Sequence, residues 1–190
     1  MKTGILGGVF SPPHLGHVLP CVYLIENSIV DNLFVIPCAR QPLKKQSSVS
    51  FEDRYNMART AFSHIERAEV LDIESRLAVP SYTVNTLKFL TEQYDNELFL
   101  IIGSDEARQI DKWKDYRNLT DYCSIIIVRR TCADRDYSQA VLKDALRPDN
   151  PLYEISSTDI RNRLKRGDRT VKYLLPEGVY QYIEKKGLFL

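Results

Sequence analysis

Much of what would make a sequence quick to classify is missing from this one. No apolar run approaches the ~20 residues that span a bilayer. The apolar part of the N-terminal MKTGILGG is too short for the core of a secretion signal. An excess of one charge is missing too: 26 Lys and Arg face 25 Asp and Glu, a formal net charge of +1. Such a balance gives no reason to expect a nucleic-acid polymer or a membrane surface as partner, so any anion must be chosen by local geometry. Cysteine is sparse. Cys21, Cys38, Cys123 and Cys132 form no C-x-x-C pair, and no histidine stands at zinc-finger spacing from them. That pattern argues against a disulfide scaffold or structural zinc and suits the cytoplasm. No internal repeat or low-complexity tract is visible.

What is present is an ordinary globular composition, 44% hydrophobic and 27% charged over 190 residues. It suits one domain spanning residues 1–190. Short apolar runs alternate with amphipathic segments. Strands are predicted at Thr3–Gly7, Asn32–Pro37, Ala68–Ile73, Glu97–Ile102 and Cys123–Val128. Helices are predicted over Leu15–Asn27, from Ser50 to about Ser63, over Ser81–Tyr94, briefly after Ser104, and over Ser138–Leu146, Ser157–Arg166 and Glu177–Lys186. A short extended piece is expected near Leu152–Ile155. Alternation of this kind implies parallel β-α-β units. Near-continuous apolar strands imply a sheet covered on both faces. The expected fold is α/β: a Rossmann-like, doubly wound parallel sheet with helices on both faces and further helices at the C-terminus. In such sheets ligands bind beyond the carboxyl ends of the strands, so residues just after each strand are the ones to examine.

The first strand runs into GGVFSPPHLGH, residues 7 to 17. Gly7 and Gly8 let a ligand approach the backbone. His14 and His17, three apart at the start of a helix, turn toward one side beside its free amides. Together they form a phosphate site; as isolated residues, His14 would cap the helix and His17 would pack on its first turn. No carboxylate or cysteine is near enough in sequence to complete a metal site with them. After the fourth strand, Asp105 can accept from ribose hydroxyls or cap the next helix. Trp113, between charged neighbours, offers a stacking face for an aromatic base or packs in the core. Ser81-Tyr82-Thr83 opens a helix through either a serine cap or free amides that hold a carboxylate. Lys44 and Lys45 lie in a polar loop, solvated or against phosphate. Ser156, Ser157, Thr158 and Arg161 form a hydroxyl cluster and a guanidinium at another helix start, where a planar fork can reach a triphosphate; the simpler reading there is an N-cap and a surface arginine.

With GGVFSPPHLGH, VPSYTVNTL, FLIIGSD, ISSTDIR and KYLLPEGVYQYIEKKGLF in order, the chain resembles the bacterial nicotinate-nucleotide adenylyltransferases of the HxGH nucleotidyltransferase superfamily. The resemblance implies an enzyme that transfers the adenylyl group of ATP to nicotinate mononucleotide. It also implies roles. His14, His17 and Arg161 are catalytic. Gly8, Val9, Phe10, Gly103, Asp105, Ser157 and Thr158 join them around ATP. Lys44, Tyr82, Thr83, Trp113 and Lys114 serve the mononucleotide. Ser11 stands where the family usually has Asp or Asn, Leu43 where it often has His, and Val79 where it commonly has Gly. The family's Arg before that Gly is displaced to Arg76.

The implied chemistry is positioning plus charge stabilisation, assisted by Mg2+ bound mainly through ATP phosphates. Nicotinamide mononucleotide as preferred acceptor remains an alternative, as does a nucleotide-binding regulator without turnover. The sequence leaves open whether the chain forms a homo-oligomer.

Overall fold

A computed structural model describes residues 1–42, 47–130 and 137–189. Its centre is a five-stranded, all-parallel sheet in the order β3-β2-β1-β4-β5. The strands are β1 (Lys2–Gly8), β2 (Asn32–Pro37), β3 (Ala68–Val70), β4 (Glu97–Gly103) and β5 (Ser124–Val128). The helices are α1 (Leu15–Glu26), α2 (Phe51–Phe62), the single turn α3 (Ile73–Arg76), α4 (Thr83–Gln93), the single turn α5 (Ser104–Ala107), α6 (Ser157–Lys165) and α7 (Val179–Lys186). The chain enters at β1, winds outward through β2 and β3, and then crosses back to β4 on the other side of β1. That reversal opens a crevice between the carboxyl ends of β1 and β4. Leu6 pairs with Ile101, which brings Gly8 level with Gly103 across it.

The period-2 alternation of the strands divides the core. Leu33, Val35, Phe99, Ile101, Ile126 and Val128 face the side covered by α1, α2, α6 and α7, through residues such as Leu24, Met57, Ile160 and Ile183. Phe34, Ile36, Leu98, Leu100, Ile125 and Ile127 face the side covered by α4 and the short turns near Ile110 and Leu119. Each fully buried aliphatic chain contributes about 1.5–3 kcal/mol. The doubly wound sheet expected from the alternation is therefore the one found. Among the described residues, no helix is long and apolar enough to cross a membrane.

Local expectations differ in three places. The third strand stops at Val70 rather than Ile73, which instead opens α3. Over Ser138–Leu146 the regular structure is a short 3-10 turn at Ala140–Leu142, not a helix. Two contacts hold the segment out of a helix: locally, the Arg147 guanidinium takes the carbonyls of Leu142 and Ala145, and at long range Leu146 pairs in parallel with Ile126 of β5. Residues 152–155 join no strand. Lys44, Lys45, Leu43 and Cys132 lie outside the described residues.

Candidate active site

The crevice holds a cleft of about 630 Å³. Gly8, Val9, Phe10, His14, His17, Gly103, Asp105, Ser157, Thr158 and Arg161 all line it, so every residue expected around ATP converges on one place. They arrive from the turn after β1, the start of α1, the end of β4 and the start of α6.

The turn after β1 is held by its own side chains. Phe10 has a left-handed backbone (φ 52), and its buried ring packs edge-on against Phe62 and His17. Its backbone faces the cleft while its ring belongs to the core. His14 stands at the N-cap of α1 with extended backbone. Its main-chain N–H donates to His17 Nδ1 at 3.2 Å, and the two rings lie 3.8 Å apart between centroids. With Nδ1 accepting, His17 carries its proton on Nε2, the nitrogen left for a ligand. Gly16 makes this pairing possible: a Cβ there would sit 3.0 Å from His14 Nδ1 and 3.3 Å from Ile155 Cβ.

His14 is fully buried, and neither ring nitrogen has a hydrogen-bond partner. A buried polar group without a partner is costly, and here it lines the cleft. Burial, followed by the positive charge of Arg130, pushes the His14 pKa down to about 3. Burial, then His14, then Arg130 hold His17 well below its ordinary value as well. Both rings are therefore neutral N–H donors near pH 7. The sign for stability follows. The folded pKa of His14 is depressed, so the unfolded chain binds more protons between the unfolded value near 6.5 and about 3. Stability is complete above pH 6.5 and is lost as pH falls. From pH 6.5 to 5 we expect a loss of roughly 2 kcal/mol from His14. Guanidinium unfolding at both pH values should register it, and His14→Gln should make the dependence shallower, leaving the part that His17, shifted in the same direction, contributes. An equally steep fall in the variant would show that His14 is not its source.

α6 closes on the same turn. Ser156 is its N-cap, accepting from the Thr158 N–H, and Ser157 is its first residue. Ser157 Oγ donates to the Pro12 carbonyl at 3.0 Å. Arg161 donates to the Ser11 carbonyl at 2.8 Å and to Thr158 Oγ1 at 3.0 Å. The Ser11 hydroxyl, in the position where the family usually carries Asp or Asn, pairs with Ser47 at 2.8 Å.

Asp105 is not the cap of α5; Gly103 is. Its exposed carboxylate faces Arg130 at 3.8 Å. A Cβ on Gly103 would fall on the Asp105 carboxylate and 2.5 Å from Arg130 Cδ, so a side chain there would push this ion pair aside. Arg130 itself escaped the sequence reading. It lines the cleft, and its backbone N–H is held by Ser104 Oγ at 3.2 Å. The signal was available, since Arg129-Arg130 directly follows β5 at the ligand edge.

The remaining candidates gather elsewhere. Tyr82, Thr83, Trp113 and Lys114 are not in the lining of the phosphate cleft. Lys114 Nζ lies 4.6 Å from the centroid of the Tyr82 ring, and Tyr82 and Trp113 both pack, half-buried, on the α4 side of the core. Trp113 thus has one face on the core. Ser81 does not cap α4; Tyr82 holds that position. The Ser81 hydroxyl instead accepts from the N–H groups of Ala39 and Arg40, both at 3.2 Å.

Known proteins place this geometry in a family. Residues 5–163 match the cytidylyltransferase-like family. The chain is 34% identical over 188 residues to a Thermotoga maritima protein described as a probable nicotinate-nucleotide adenylyltransferase, covering 96% of this chain and 91% of that one. It is 37% identical over 199 residues to a Dictyoglomus thermophilum protein of the same description, covering 100% of both. Among solved structures it resembles the Plasmodium falciparum nicotinic acid mononucleotide adenylyltransferase complexed with NaAD, with TM-score 0.82, 21% identity, and coverage of 99% and 97% of the two chains. That likeness speaks for the fold.

Proposed function

The chain belongs to the cytidylyltransferase-like family and, within it, to the nicotinate-nucleotide adenylyltransferases, and on that premise we propose that it transfers the adenylyl group of ATP to nicotinate mononucleotide, giving deamido-NAD and pyrophosphate. It is a nucleotidyltransferase of NAD biosynthesis. The observation that carries the substrate reading is the convergence of His14, His17 and Arg161 on one cleft, with both buried His14 nitrogens unpartnered.

The reaction needs little from the protein beyond placement. The mononucleotide 5′-phosphate is already largely dianionic near pH 7, so no general base is required. One of its oxygens bonds to the ATP α-phosphorus in line. The bond from that phosphorus to the bridging oxygen breaks, and pyrophosphate leaves with the electron pair. Neutral His14 and His17 donate to phosphoryl oxygens as charge develops on them, and Arg161 adds a planar fork. Gly8, Val9 and Phe10 offer backbone to the phosphates; Gly103, Asp105, Ser157 and Thr158 surround the adenosine end. Lys44 is the phosphate contact that the resemblance implies. Among the described residues, no cluster of three or more His, Cys, Asp or Glu could hold a metal ion. A magnesium ion would ride on the ATP phosphates and water, where it neutralises phosphate charge. The reading implies a cytoplasmic site of action and is compatible with a monomer or a homo-oligomer.

Trp113 stacks on the pyridine ring, while the amides at the start of α4 and of Lys114 hold its carboxylate. Stacking barely distinguishes acid from amide, whereas charge-assisted hydrogen bonds do. Trp113→Ala is therefore expected to weaken both mononucleotides by about tenfold with their ratio unchanged. Thr83→Pro is expected to erode the preference for the acid. Thr83 is the first residue of α4 and follows an extended Tyr82 (φ −97, ψ 125), so proline fits there. Specificity constants for both acceptors in parent and variants provide the test. A parent that prefers nicotinamide mononucleotide overturns the acceptor assignment.

A further inference from the structure

The segment Cys38–Arg40, just after β2, has no regular structure. Yet every main-chain polar group in it is taken. Cys38 N–H donates to the Gly8 carbonyl at 2.8 Å. Ala39 N–H is shared between Glu74 Oε2 and Ser81 Oγ, both at 3.2 Å. Arg40 N–H donates to Ser81 Oγ, and the Arg40 carbonyl accepts from Ser81 N–H at 2.9 Å. The two remaining carbonyls go to Arg54, which donates to Cys38 at 2.6 Å and to Ala39 at 3.2 Å.

Arg54 does not stop there. The nitrogen that reaches Cys38 also donates to the Val9 carbonyl at 2.9 Å, in the turn that carries the phosphate site. Glu74 likewise reaches past the segment and accepts from Thr86 Oγ1, on α4, at 2.9 Å. Both charged side chains are buried, Arg54 at 4% exposure and Glu74 at 7%. Surface loops seldom hold two buried charges, because stripping water from each is expensive unless it is bonded. Arg54 is bonded through both terminal nitrogens, while its Nε has no partner among the described residues. Here the bonds run in a fixed order, from the β1 turn through Arg54 to the β2 loop, and from there through Glu74 and Ser81 to the start of α4.

We infer that Arg54 and Glu74 are positioning residues for the transfer, clamping the Cys38–Arg40 loop so that the phosphate-binding turn and the acceptor-binding start of α4 keep one fixed spacing. The inference rests on the adenylyl-transfer reading, because an in-line attack rewards such a spacing. Neither residue lines the phosphate cleft, and both side chains are buried and turned to protein partners, so their role here is positioning rather than contact with ATP. Their effect lies in alignment, where a misplacement of about 1 Å costs roughly a hundredfold in rate.

The test compares Arg54→Lys, Glu74→Ala, Glu74→Gln and Ser81→Ala with the parent. It measures kcat per folded molecule, KM for ATP and for nicotinate mononucleotide, and the thermal midpoint. Arg54→Lys keeps the charge but loses the fork that spans three carbonyls. Its kcat is expected to fall about 10- to 100-fold while KM for ATP stays within about threefold, because His14, His17 and Arg161 remain. Glu74→Ala should fall about tenfold or more in kcat. Glu74→Gln should recover most of that, since its amide can accept from Ala39 and donate to Thr86. Ser81→Ala frees only the α4 side of the clamp and should raise KM for the mononucleotide about fivefold with KM for ATP unchanged. A purely structural role predicts lower thermal midpoints with parental kcat and KM in the folded fraction, and that result would overturn the inference. Should Arg54→Lys fail to fold, Ser81→Ala decides: an unchanged acceptor KM contradicts the clamp. A parent without turnover contradicts the adenylyl-transfer reading itself, whereas an active parent with unaffected variants contradicts the clamp alone.

Discussion

His17→Ala is expected to lower kcat about 100- to 1,000-fold while the protein stays folded. The rate effect follows from what the ring does. His17 Nδ1 accepts from the His14 N–H, which leaves Nε2–H to face the cleft. The ring is braced by Phe10 on its edge at 5.3 Å and by the His14 ring at 3.8 Å, so the donor is aimed before substrate arrives. Its pKa is held down by burial, so the ring is neutral near pH 7 before substrate arrives and still carries one N–H to donate. Losing a preorganised donor of this kind costs about 3–4 kcal/mol of transition-state stabilisation. The fold loses much less. One main-chain N–H loses an acceptor, worth about 1 kcal/mol, and water can fill the space beside the cleft. Steady-state rates with circular dichroism as folding control provide the check. Near-parental turnover in folded His17→Ala would remove His17 from the mechanism.

Arg161→Lys is expected to cut kcat/KM for ATP by about 10- to 100-fold, with the mononucleotide KM within about threefold. Arg161 does two jobs with one fork. It ties α6 to the Ser11 carbonyl and to Thr158 Oγ1, and it borders the cleft proposed to take the triphosphate. Lysine preserves the charge but cannot hold the Ser11 carbonyl and reach phosphate at once. Each lost charge-assisted bond is worth about 1.5–3 kcal/mol. Tyr82, Thr83 and Trp113, proposed to serve the acceptor, lie outside this cleft, which is why the effect should be confined to ATP. Should the lysine variant use ATP like the parent, Arg161 serves only to hold α6.

The sheet was legible because β2, β4 and β5 are near-continuous apolar runs and β1 carries a shorter one; β3, only three residues long with Glu69 exposed, gave the weakest signal. That the residues expected around ATP share one cleft follows for a related reason. A parallel sheet delivers every strand end to one edge, so GGVF after β1 and GSD at the end of β4 had to meet, and Gly8 and Gly103 do lie level. The failures come from contacts that a local pattern of residue types does not show. Ser138–Leu146 has helical spacing, but Arg147 captures its carbonyls and Leu146 pairs beside β5. Ser81 sits where a helix cap belongs, but its hydroxyl serves the β2 loop instead. Arg54 and Glu74 were illegible because a charged residue on a helix ordinarily faces water. Nothing in the local sequence says that Arg54 turns inward to three carbonyls. Arg130 was a missed inference rather than a hidden one, because the rule that singled out the ends of β1 and β4 applies equally to β5.

The most direct test of the central claim follows the α-phosphorus. Incubate the protein with ATP labelled at the α-phosphate, nicotinate mononucleotide and magnesium, and separate the products. The account predicts label in a dinucleotide, one pyrophosphate released for each, and a product mass equal to AMP joined to nicotinate mononucleotide with loss of water. Label that stays in ATP, or appears only as AMP or ADP without a dinucleotide, would contradict it.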